Sequence, residues 1–123
     1  MNQILIYIAS ILTGGWGVAH LFATKGVVAG FGDISADNRR IITMEWIVEG
    51  VALISIAAFT TSVTAIQTDA FVSQVVCTIA VIALLALALV SLFTGFKVAF
   101  LPYQMCPFIL GASAVLIFCG VWL

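Results

Sequence analysis

Four stretches of the sequence, 4–24, 41–63, 71–95 and 104–123, are long and apolar enough to cross a hydrocarbon layer, and only the second contains an Asp, Glu, Lys or Arg. Such a crossing takes about 20 helical residues at about 1.5 Å each. What lies between them is too sparse to make a water-facing surface. Only 7% of the residues are charged and 64% are hydrophobic, against about 25% and about 45–50% in soluble domains. The expected fold is all-α: one domain over 1–123, an integral membrane bundle of four helices with the lipid bilayer as its solvent.

The same features exclude several classes. A net charge of −1 with no basic patch offers nothing to nucleic acid. The first stretch lacks the basic lead and small-residue cleavage site of a secretory leader, so it is read as a retained helix. Three cysteines without a Cys-x-x-Cys pair make neither a disulfide framework nor a recognisable metal spacing. Cys77 and Cys119 should lie near one membrane face and Cys106 near the other. Buried free thiols are the expected state, with a Cys77–Cys119 bond as the alternative.

Helix 1 carries Ala9, Thr13 and Gly17 at four-residue spacing, with Ser10 and Gly14 on the next stripe. Small residues so spaced let two helix backbones approach closely in lipid, where packing drives association. Gly14, Gly15 and Gly17 are therefore read as a packing seam. A phosphate cradle would need a preceding strand and soluble surroundings.

The connection over 25–40 is long for a helical hairpin, where about 2–8 residues is usual. Its first half, Gly26 to Gly32, is apolar and glycine-rich, and could continue helix 1, re-enter the membrane or lie at the interface. Ser35 or Asp37 is a candidate N-cap for helix 2. Near the third connection, Phe96, Phe100 and Tyr103 surround Lys97 like an interfacial belt. Pro102 and Pro107 bracket the start of helix 4, where a missing N–H is tolerated. Lys25, Arg39, Arg40 and Lys97 all fall in the first and third connections, whereas the second, 62–70, holds Asp69 and no basic residue. Basic residues gather on the cytoplasmic side. Connections 25–40 and 95–103 are therefore expected in the cytoplasm, and both termini outside.

The polar centre of the chain is His20 to Glu49, which holds the only histidine and four of the five acidic residues. With Lys25 and Arg40 marking a shared edge, His20 and Glu45 fall roughly 7 Å below it, and Trp16 and Glu49 roughly 13 Å. Glu45 and Glu49 are one turn apart on one helix face, as are Trp16 and His20 with Thr13 below them. A charge at membrane depth costs at least about 2.5–3.5 kcal/mol. Two carboxylates there call for a partner, a proton, a bound cation or a water-filled cavity. The structural alternative is that Glu45 reaches the interface or pairs with Arg39 or Arg40, while His20 bonds a carbonyl.

The candidate site is therefore Thr13, Trp16, His20, Glu45 and Glu49, with Lys25, Asp33, Arg39 and Arg40 at its mouth. It would bind or translocate a small ligand, proton or cation. His20 and the glutamates are metal-ligand types, but the Glu-x-x-His pairing of di-iron bundles is absent, so no metal is assigned and no cofactor is specified. Two rival readings remain open. One is a non-catalytic accessory subunit of a larger membrane complex. The other is a membrane enzyme acting on a lipid or isoprenoid or quinone-like substrate, with Glu45 and His20 as acid and base. Homo-oligomerisation or assembly with other chains is expected in either case. In topology and length, four short helices with a polar first hairpin resemble the DoxX-like small membrane proteins. That resemblance implies no residue role and no activity here.

Overall fold

Hydrophobic length and one glycine decide where the first hairpin turns. The computed structural model describes residues 1–66 and 70–123; Asp69 of the second connection lies outside the described residues. Among them are four long helices, all long and apolar enough to span a membrane: α1 Gln3–Gly30, α2 Ala36–Ile66, α3 Ala70–Phe93 and α4 Leu101–Trp122. A single 3-10 turn, Gly95–Lys97, joins α3 to α4. The fold is an all-α four-helix bundle, as the apolar segments predict.

The first connection is shorter than expected. Gly26 to Gly30 continues α1, so the helix has 28 residues and runs about 42 Å, beyond a hydrocarbon core of about 30 Å. It ends where Gly32 takes a left-handed φ of 69°, the conformation that glycine adopts without a Cβ penalty. The Gly32 N–H closes back on the Ala29 carbonyl at 3.2 Å. The Ser35 hydroxyl then accepts from the Asn38 N–H at 3.2 Å and caps α2. Arg40 reaches Asp37 of the same turn at 3.3 Å, with both side chains exposed.

α1 packs against α2 and α4, and α3 packs against α4 and more sparsely against α2. Since each helix reverses direction, both chain ends meet at one end of the bundle, where the Asn2 N–H donates to the Gly120 carbonyl at 2.6 Å. We call this the terminal end. The first and third connections form the loop end.

Packing from the middle of the bundle to the terminal end depends on small residues. A Cβ on Gly17 would stand 2.7 Å from the Gly50 carbonyl oxygen, and one on Gly50 would stand 2.9 Å from that of Gly17. The two backbones touch. Farther along, the Ser10 and Thr60 hydroxyls lie 2.9 Å apart and buried. Thr60 spends its hydrogen on its own helix, on the Ile56 carbonyl at 2.9 Å, so Ser10 donates across the interface. Gly120 admits Ile6 in the same way. The seam read in helix 1 is therefore occupied within the chain, with one correction: Gly15 is exposed, with nothing within 4 Å of a Cβ placed there.

α4 begins at Leu101 rather than near 104, which moves Pro107 from the helix start to its interior. Its ring nitrogen has no hydrogen, so the Tyr103 carbonyl loses its usual partner four residues on. All three cysteines are free.

Candidate functional site

At the loop end the four helices enclose a cleft of about 620 Å³ whose walls are mostly apolar. Every helix contributes polar groups to it, among them His20 from α1, Glu49 from α2, Ser91 from α3 and Cys106 from α4. Glu49 lies thirteen residues into α2 and His20 ten residues from the end of α1, or about 20 and 15 Å along the helix axes. The site is well inside the membrane-spanning part of the bundle.

His20 is held on three sides. Its Nδ1 lies 2.9 Å from the Trp16 carbonyl oxygen one turn earlier. Its ring stacks on Trp46 at 4.8 Å between centroids, with planes 26° apart, and takes Trp16 edge-on at 5.6 Å. Its Nε2 lies 3.5 Å from Glu49 Oε1, with the histidine side chain 6% exposed and the glutamate 36%. A carbonyl only accepts, so Nδ1 carries a hydrogen and donates. In a neutral ring Nε2 is then a lone pair facing a carboxylate oxygen, itself an acceptor when ionised. Two acceptors at that distance require one positive charge between them, either a proton or a cation.

Cys106 completes the group. One ligand atom each from His20, Glu49 and Cys106 can be chosen so that all lie within 4.8 Å of one another. The Ser91 hydroxyl donates to the Cys106 sulfur at 3.4 Å. The Trp16 indole N–H is buried with no hydrogen-bond partner among the described residues. Tyr103 closes the opposite wall, its ring 5.6 Å from Trp46 and 5.5 Å from Phe100.

The residues singled out in the sequence divide into three groups. His20, Glu49 and Trp16 meet as a cluster. The register differs from the expected one, because continuing α1 to Gly30 slides the helices past each other and puts His20 level with Glu49 rather than Glu45. Glu45 lines the cleft one turn nearer the loop end and is exposed, with no ion pair among the described residues. Thr13 is buried two turns below His20, does not line the cleft, and its hydroxyl has no hydrogen-bond partner among the described residues. Lys25, Asp33, Arg39 and Arg40 are exposed at the loop end and none lines the cleft. Thr94, Gly95, Phe100 and Pro102, in and beside the third connection, line it instead.

Sequence reasoning missed Trp46, Ser91 and Cys106 as site residues, and read Tyr103 only as part of a belt. Trp46 had a signal, being three residues before Glu49 and so on its face. The other three needed knowledge of which helices meet.

Fold and site together define a multi-pass membrane protein with a polar cluster at the base of an apolar cleft. No family model matches the chain, and no curated protein or solved structure shows significant similarity to it. The likeness to DoxX-like proteins stays one of topology and length.

Proposed function

We propose that this protein binds a small lipophilic molecule with a hydrogen-bonding head, such as a quinone or another ring-headed amphiphile, in the loop-end cleft. The observation that carries the reading is the convergence of His20 and Glu49 on a cavity otherwise walled by apolar side chains. Its volume of about 620 Å³ falls within the range of about 300–1,000 Å³ common to small-molecule sites. The head sits against Glu49, His20 and Tyr103, and the body lies between Trp46 and the α3–α4 connection. Glu45, one turn outward, meets the ligand at entry. The loop end faces the cytoplasm in this reading, because Lys25, Arg39, Arg40 and Lys97 all belong to that end of the bundle.

The helix 1 seam, which an accessory subunit could have offered to a partner chain, is filled by α2 within this chain. An acid–base enzyme built on Glu45 and His20 is disfavoured by the register, which gives His20 to Glu49.

The test uses the tryptophans. Trp16 and Trp46 line the cleft and Trp122 lies exposed at the terminal end. A benzoquinone with a short alkyl tail, added to the full chain in nanodiscs, should quench fluorescence saturably. Ala52→Trp, which fills the cleft wall, should abolish saturation while the protein elutes unchanged. Quenching that stays linear in quinone, or that Ala52→Trp leaves intact, would refute the proposal.

A further inference from the structure

The two facing acceptors, His20 Nε2 and Glu49 Oε1, together with the nearby thiol, pose a charge problem that one ligand solves. We infer that His20, Glu49 and Cys106 bind a divalent transition ion of the zinc type, with its fourth position open to the cleft.

The donor set is the first reason. Imidazole nitrogen, thiolate sulfur and carboxylate oxygen together suit zinc and its neighbours, whereas calcium and magnesium take oxygen ligands. The second reason is geometry. Bonds of about 2.0–2.3 Å to a tetrahedral ion put ligand atoms roughly 3.3–3.7 Å apart, and His20 Nε2 and Glu49 Oε1 already stand at 3.5 Å. The sulfur must close the remaining gap from within the 4.8 Å spread of the group, a movement of about 1 Å on the bond lengths above.

Outer partners are the third reason. The Trp16 carbonyl fixes the tautomer that leaves Nε2 free to ligate, the arrangement found behind most metal-bound histidines. The Ser91 hydroxyl supplies a positive dipole to the sulfur. Charge is the fourth. One thiolate, one carboxylate and a neutral imidazole cancel a divalent cation, so the loaded site carries no net charge into lipid. Binding then releases the Cys106 thiol proton and the proton shared by His20 and Glu49, so affinity must rise with pH.

The ion site rests on the proposed cleft only for access. It stands or falls on three side chains, with no organic ligand needed. The probe is Co²⁺ added to the full chain in detergent under reducing conditions. The expected result is one equivalent bound, with ligand-field bands of tetrahedral intensity and a thiolate-to-cobalt charge-transfer band, both displaced by Zn²⁺. Cys106→Ser should remove the charge-transfer band, whereas Cys77→Ser and Cys119→Ser should leave it. Ser91→Ala, which alters only an outer partner, should weaken binding by about 10-fold or more. Tryptophan emission and elution volume report folding for every variant. A folded parent that binds no cobalt, or a charge-transfer band that survives Cys106→Ser, overturns the inference. Cobalt binding without saturable quinone quenching would reject the proposed function and leave the ion site standing, and the reverse result would do the opposite.

Discussion

The two ends of this bundle solve the same problem, packing four helices in lipid, in opposite ways. From the middle of the bundle toward the terminal end, the backbones of Gly17 and Gly50 are in contact, and the Ser10 and Thr60 hydroxyls bond to each other. Space is eliminated and polar atoms are satisfied locally. Toward the loop end, about one turn beyond Gly17 and Gly50, His20 and Trp46 begin a region of large residues that also includes Trp16 and Tyr103. Rings of that size stack by edges and faces and leave a cleft between the helices. The contrast separates a close-packed region from one that leaves a cleft beside polar groups. Lipid exerts no hydrophobic force between helices, so the close-packed half must hold the bundle together while the other half stays open.

The comparison can be broken most forcefully at Gly17. Gly17→Leu pushes a side chain into the Gly50 carbonyl and should cost more than about 3 kcal/mol, the upper end of ordinary overpacking. Thermal melting in detergent would register it, while Gly15→Leu, two residues away with open space around it, should melt like the parent. Next in size is Glu49→Gln, expected to weaken quinone quenching at least about tenfold, or about 1.4 kcal/mol, without changing the melting temperature by more than a few degrees. Glu45→Gln, farther out, should change affinity much less. Trp46→Phe should reduce the quenchable fraction of fluorescence, whereas Trp122→Phe should raise it by removing a distant emitter. Smallest is Ser10→Ala. It removes one interhelical hydrogen bond, worth about 0.6 kcal/mol on average in membranes, because Thr60 keeps its own carbonyl partner.

How much of this was legible in the sequence follows from what each feature depends on. Helix number and environment come from apolar length alone, and the four spans were readable. The seam was readable because small residues at four-residue spacing have one physical use in lipid, although spacing could not show that Gly15 faces outward. Helix ends were harder: Gly26 to Gly30 could continue a helix or leave it, and the left-handed turn at Gly32 settles the matter. That uncertainty spread into the register, so Glu45 rather than Glu49 was matched to His20. Ser91 and Cys106 were out of reach, because their role arises only when α3 and α4 close the cleft around an α1–α2 pair.

Because the chain has a single histidine, ring nitrogen-15 spectroscopy of His20 tests the pairing with Glu49 without ambiguity. The account predicts a hydrogen on Nδ1, and an Nε2 resonance that moves on Glu49→Gln and stays in place on Glu45→Gln. A hydrogen absent from Nδ1, or an Nε2 signal indifferent to Glu49, would contradict it.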